Sequence, residues 1–244
     1  MPVLRLFAAA LLLCEVGLAH AQNLVLLTEN LAPFNHSVNG RNFAKDAGIT
    51  GISSDTLRAV CARAGVECQQ ILRFPWARVY QQALNEPGYG LFSAARTPAR
   101  EKQFKWVGPI ASNDWVLMAK ADSPIQLASL QEAARYRIGG YQGDAISQSL
   151  IDRGLPVQLA LRDNKNLEKL GKGQIDLWVT ADPSGRYLAK QEGVEDLRVV
   201  QRFHTAELYL ALNLATPDEL VQRLQEALDA LRAEGELSRI VERY

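Results

Sequence analysis

The sequence predicts an α/β protein built as two lobes, and three observations carry the prediction. Short apolar runs alternate with amphipathic ones along almost the whole chain, the pattern of mostly parallel sheets flanked by helices. The alternation starts afresh in the second half. Near the end, a strand over 208–213 precedes a long helix from Pro217 to about Ala233, with no internal repeat, low-complexity segment or flexible linker on the way. Lobes arranged in this way are joined by strand-like hinges.

Met1 to Ala21 reads as an export leader and stands apart from the fold. Arg5 supplies the basic end, Leu6 to Leu13 the apolar stretch, and Ala19-His20-Ala21 a small-x-small cleavage site. The apolar stretch is too short to span a membrane, and no later segment is long enough. Cys14 follows a bulky Leu13, which argues against lipid-anchored processing. The expectation is a soluble periplasmic protein starting at Gln22. Removing 21 of 244 residues leaves 223, enough for one large domain or two lobes.

The elements then follow in order. Leu24–Leu27 is a strand, and 28–50 a long polar loop. Ser54–Ala64 is a helix, with Leu57, Val60, Cys61 and Ala64 on one face. A strand over 69–72, a helix opening at Pro75, and strands over 89–92 and 115–119 complete the first half. In the second half, strands over 137–140, 157–161, 175–179 and 197–200 are separated by helices near 143–153, 164–172 and 182–191. After the long helix, Gly235 breaks the chain before a short final helix that ends at Tyr244.

Composition excludes several functions. The chain carries 27 basic and 27 acidic side chains, and losing Arg5 and Glu15 with the leader keeps the balance. Nucleic acid and anionic membrane surfaces are therefore poor candidates as partners. His36 and His204 lie far apart without ligand spacing, so no metal is expected, and no cofactor motif appears. There is no G-x-S-x-G elbow, P-loop or H-E-x-x-H. Gly139-Gly140-Tyr141-Gln142-Gly143-Asp144 is a glycine-rich strand-to-helix turn. Its spacing fails as a dinucleotide fingerprint but suits a helix N-terminus facing a small polar ligand.

Two cysteines remain in an oxidising compartment. Cys61 lies late in its helix, Cys68 opens the next strand, and Gly65 reverses the chain between them; a local disulfide is predicted, with two separate buried thiols as the alternative. In Arg96-Thr97-Pro98-Ala99-Arg100-Glu101, Thr97 and Pro98 read as a helix start, with a hydroxyl able to cap and a residue suited to the first helical position. Free backbone N–H groups and the Arg100 guanidinium on one turn make a clamp for a carboxylate. The competing reading is a surface arginine paired with Glu101.

Taken in order, these motifs resemble the amino-acid-binding family of periplasmic solute-binding proteins, the receptors of ABC importers (family 3 type). The resemblance runs over essentially the whole mature chain. It rests on Thr28-Glu29, Pro33-Phe34, Gly51-Ile52-Ser53-Ser54-Asp55, the Arg96–Glu101 run with the aromatic stretch to Ile110, Gly143-Asp144, and the closing helix pair from Leu231. Pro75-Trp76-Ala77-Arg78 is similar to a branch of exported members whose ligands are often unassigned.

The resemblance implies a lobe one of 22–110 plus 206–244, a lobe two of 111–205, and a ligand buried by hinge closure between them. It implies that Arg100 grips a ligand carboxylate. Phe34 either packs on the ligand or fills the core beneath the loop, and Trp76 either walls the cleft or braces its helix. Gly143 and Asp144 mark a turn that offers backbone N–H groups. Where the family places a hydroxyl before the arginine, this chain has Ala95, with Ser93 or Arg96 able to compensate. The nearest candidate for the family's ammonium-binding aspartate is Asp182, which falls one residue late and is better suited to cap the helix at Pro183. Asp176 reads as a strand-end residue.

The implied function is capture of a small carboxylate-bearing solute, foremost an amino acid, by a monomer that delivers it to an ABC permease in the inner membrane, without catalysis. The alternatives are a periplasmic enzyme of the cyclohexadienyl dehydratase type, with Glu29, Asp144 or Asp182 as acid or base, and a ligand-sensing accessory module.

Overall fold

A computed structural model describes residues 23–194 and 196–244; the leader predicted at 1–21 lies outside the described residues. Chain order is β1 (Leu24–Thr28), β2 (His36–Ser37), β3 (Phe43–Lys45), β4 (Ile49–Thr50), α1 (Ile52–Ala64), β5 (Cys68–Arg73), α2 (Trp76–Asn85) and β6 (Tyr89–Ala95). Next come β7 (Lys105–Lys120), β8 (Ile138–Tyr141), α3 (Ala145–Asp152), β9 (Val157–Ala160), α4 (Asn164–Gly171) and β10 (Leu177–Asp182). The chain closes with α5 (Ser184–Gln191), β11 (Leu197–Leu212), α6 (Asp218–Ala233) and α7 (Glu236–Val241).

Nine strands share a sheet in the order β3-β5-β1-β6-β11-β7-β10-β8-β9. On one flank, β1 pairs parallel with β5 and β6; on the other, β8 pairs parallel with β9 and β10. Leu24, Leu26 and Leu27 of β1 are buried, as a strand covered on both faces requires. The centre is antiparallel, where β7 and β11, 16 residues each, pair from Leu197↔Lys120 to Leu212↔Lys105. One half of β11 meets β6, and the far half of β7 meets β10. These two strands run through both lobes.

The two crossing strands differ from expectation in length. The runs 115–119, 197–200 and 208–213 are parts of two long strands. Around Arg202 to Thr205 and Ser112 the chain is partly exposed, so its apolar signal lapses while its backbone pairing continues, interrupted by register shifts such as that between Arg202 and His204. The polar loop over 28–50 also carries short pairings, β2 with β4 and β3 with β5.

Packing separates into two bodies of apolar side chains. In one, α1, α6 and α7 cover one face of β1, β6 and β11 through Leu57, Val60, Leu224 and Leu228, while α2 covers the other through Val79 and Ala83. In the second, α3 packs on one face through Ile146 and Leu150, and α4 and α5 pack on the other around Trp178. No helix among the described residues is long and apolar enough to cross a membrane.

The disulfide Cys61–Cys68 is present, with Cα atoms 6.1 Å apart. Gly65 ends α1 in the left-handed region (φ 61°), and the Val66 N–H bonds back to the Cys61 carbonyl, so the chain reverses within the bridged loop.

Candidate functional site

The ends of β1, β6, β8 and β10 converge on one cavity of about 360 Å³ between the lobes. Ligands of α/β sheets sit in this position, beyond the carboxyl ends of the strands. Glu29 follows β1, Ser93 and Ala95 close β6, Tyr141 ends β8, and Thr180 and Ala181 lie near the end of β10.

The turn before β7 presents Arg100. The expected helix start is instead a tight turn and one 3₁₀ turn, in which the Thr97 carbonyl, not its hydroxyl, accepts the Arg100 and Glu101 N–H groups at 2.9 Å. The Arg100 guanidinium lies 5.0 Å from the Tyr80 ring and 6.0 Å from that of Trp76. It donates only long bonds, to Ala95 O at 3.5 Å and, across the cleft, to Gly143 O at 3.3 Å. Among the described residues it pairs with no carboxylate. Glu101, the partner in the competing reading, is taken by Arg96 at 2.5 and 2.7 Å. A cavity-lining cation thus has no ion-pair contact among the described residues, although Asp144 lies near enough to feel its charge.

Facing it is an acidic wall. Glu29 is half-buried, and burial pushes its carboxyl up to about 8; nearby Asp144 and Asp163 add to the shift, while the bond from Tyr141 opposes it. The Tyr141 hydroxyl donates to Glu29 Oε2 at 3.0 Å and accepts the Trp76 N–H at 3.2 Å, so one phenol fastens the two lobes together. Burial, with the Glu29 charge beside it, pushes that phenol above its ordinary range. Gly140 lets α3 approach β8: an added Cβ would lie 2.4 Å from Ser147 Oγ, the same oxygen that accepts the Tyr141 N–H at 2.9 Å.

Asp144 caps α3, accepting the Ile146 N–H at 3.3 Å, with the Ala145 and Ser147 N–H groups facing the same carboxylate. The backbone donors expected near Gly143 and Asp144 are therefore occupied by Asp144 itself. Burial still raises its carboxyl, against the pull of Arg100. Asp163, ahead of α4, accepts Trp178 Nε1 at 2.8 Å and Asn166 Nδ2 at 3.0 Å, both on Oδ1; burial nonetheless lifts it to about 6.

Of the residues singled out in the sequence, Glu29, Trp76, Ser93, Arg100 and Asp144 line the cavity, and Gly143 borders it through its carbonyl. Trp76 does both things considered for it, lining the cavity and packing with Val79 and Phe104. Ser93, at φ 57°, bonds through its hydroxyl to Asn35, which in turn reaches Thr28 and the Glu29 carbonyl.

Three residues lie elsewhere. Phe34 fills the core beneath the loop among Leu24, Ile52 and Leu57. Arg96 lies outside the cavity, held by Glu101 and by the Trp106 and Tyr209 rings. Asp182 neither faces the cavity nor caps α5; its carboxylate is drawn to Arg186 at 3.2 Å, because Pro183 occupies the cap position and α5 starts at Ser184. Asp176 does close a strand end, on Arg137.

The sequence reading missed Asn113, Arg162, Asp163, Thr180 and Ser184. Asp163 carried a signal, an acidic residue just ahead of a helix, but such residues usually cap.

A cleft between two sheet-and-helix lobes, with an arginine in no ion pair on one wall and carboxylates on the other, is the architecture of two-lobed solute-binding proteins. The chain belongs to the bacterial extracellular solute-binding proteins, family 3, whose family model matches residues 25–244. Among solved structures it is similar to a histidine kinase sensor domain with similarity to periplasmic binding proteins, at 20% identity over 91% of this chain and 95% of that one, TM-score 0.80. It is also similar to the arginine-, lysine-, histidine-binding protein ArtJ from Geobacillus stearothermophilus, at 18% identity, 91% and 94% coverage, TM-score 0.76. A third is the ancestral amino acid-binding protein AncCDT-1, a precursor of cyclohexadienyl dehydratase, at 18% identity, 91% and 95% coverage, TM-score 0.74. At these identities the likeness establishes the fold. No curated protein sequence matches the chain significantly.

Proposed function

We propose that this protein is a periplasmic receptor that captures a small carboxylate-bearing solute, foremost an amino acid, and delivers it to an ABC importer of the inner membrane. The lobes are 22–110 plus 206–244 and 111–205, and they close on the solute by bending the two crossing strands. The observation that carries the reading is Arg100, a cavity-lining guanidinium whose hydrogen bonds are two long contacts to carbonyls. A ligand carboxylate supplies the missing partner in geometry suited to a planar fork. Trp76 and Tyr80 flank the same guanidinium, and Ser93 holds the neighbouring strand end.

A thermal-shift screen of the amino acids, followed by calorimetry, tests the reading. A ligand at a hundred times its dissociation constant raises stability by about 2.7 kcal/mol. Arg100→Ala is expected to weaken binding by about 2–5 kcal/mol, much of it the cost of an unpaired ligand charge. Unchanged affinity for an identified ligand removes Arg100 from the site.

One observation favours a second reading, an enzyme of the dehydratase type. Glu29 lines the cavity with its carboxyl at about 8, so it holds a proton at neutral pH as a general acid does. Turnover of a cyclohexadienyl carboxylic acid establishes the enzyme; recovery of a bound solute unchanged establishes the receptor.

A further inference from the structure

We propose that the solute is positively charged overall, a basic amino acid or a related carboxylate bearing two cationic groups, and that Glu29, Asp144 and Asp163 receive those groups. The inference rests on the receptor reading and on Arg100 taking the carboxylate.

The first support is the distribution of charge around the cavity. Glu29, Asp144, Asp163 and Glu192 line it, against Arg100 and Arg162. Once a ligand carboxylate is on Arg100, only Arg162 remains to balance the acids, and its guanidinium lies over the Phe74 ring at 5.4 Å. Glu29, Asp144 and Asp163 have no salt-bridge partner among the described residues. Their hydrogen bonds also leave oxygens over: Tyr141 takes Oε2 of Glu29, and both donors to Asp163 share Oδ1. The three lie close together: Asp144 and Asp163 act on Glu29, and Asp144 acts on Asp163. A second negative group on the ligand would meet Asp144 and Asp163 unpaired.

An independent observation points the same way. Asn113 and Ser184 line the cavity at 6% and 8% exposure, and each keeps a buried side-chain oxygen with no hydrogen-bond partner. Buried acceptors without donors are rare because they lose hydration without recompense. Of the two, the Asn113 amide oxygen can only accept, so an ammonium or a guanidinium supplies the donor it lacks, while the Ser184 hydroxyl serves a group of either sign. Trp115 and Tyr187 line the same space.

The test is calorimetry on the mature protein at pH 7 with L-arginine, L-lysine, L-glutamine and L-glutamate, in two buffers of different ionisation heat. At least one of the basic amino acids is expected to bind about tenfold or more tighter than glutamine, and glutamate weakest. Their binding releases protons, because Glu29, held protonated by burial, gives up its proton to face a cation. Glu29→Gln abolishes that release. Asp163→Asn keeps an oxygen for Trp178 and Asn166, and it weakens the basic ligand about tenfold more than it weakens glutamine.

Tighter binding of glutamine or glutamate that depends on Arg100 overturns the inference and leaves the receptor reading standing. So does basic-ligand binding without proton release, or unaffected by Asp163→Asn. Absence of any Arg100-dependent amino-acid binding overturns both.

Discussion

Tyr141→Phe isolates the cost of closing the cleft. The substitution removes one oxygen and nothing else, yet that oxygen makes two bonds between the lobes, to Glu29 Oε2 at 3.0 Å and from the Trp76 N–H at 3.2 Å. In an opened cleft both groups return to water, so the bonds stabilise the closed form alone. A neutral hydrogen bond contributes about 0.5–1.5 kcal/mol net. Two of them shift the open–closed equilibrium by about 1–3 kcal/mol, a factor of roughly 5 to 150. On the proposed receptor reading, in which closure completes the site, ligand affinity falls by up to the same factor. Calorimetry gives the affinity, and small-angle scattering of the ligand-free protein gives the shape. The variant is expected to bind more weakly and to show a larger ligand-free radius of gyration. Unchanged affinity together with unchanged scattering refutes the fastening role of the phenol.

Other substitutions test other parts of the structure. Glu29→Gln should make the melting temperature less sensitive to pH. The wild-type carboxyl rises from 4.5 to about 8 on folding, so its folded form favours the protonated state, and stability is lost as pH climbs through that window; a wild-type curve parallel to the variant's between pH 5 and 9 contradicts this. Phe34→Ala should cost about 3–5 kcal/mol in urea denaturation, as a core ring does, and a near-neutral result would return Phe34 to the ligand. Replacing Cys61 and Cys68 together by serine should cost about 2–3 kcal/mol while sparing ligand affinity, because the bridge closes a short loop on lobe one.

Most of the fold was legible because strand and helix periods alternate cleanly, and helix ends carried their own markers: Pro75 before α2, Gly65 after α1, Gly235 before α7. The crossing strands were not, since burial changes along each of them while pairing does not. At the site, Arg100 and Glu29 were visible from short motifs, whereas Asp163, Asn113 and Ser184 were not. Their importance comes from which strand ends the sheet order brings together, and no local pattern encodes that. Asp182 shows the converse. Its place in the sequence suited an ammonium partner, but Arg186, one helical turn on, sits within reach and takes the carboxylate first.

The two apolar bodies also differ in how the chain supplies them. One is assembled from a single internal stretch, Ala95 to Ala206, whereas the other joins Leu24 near one end to Ile240 near the other. As the polypeptide is delivered from one end, the inner half has every side chain it needs while its neighbour still waits for α6 and α7. The waiting half leaves the apolar faces of α1 and β1 bare in the interval, and any aggregation during folding should begin there.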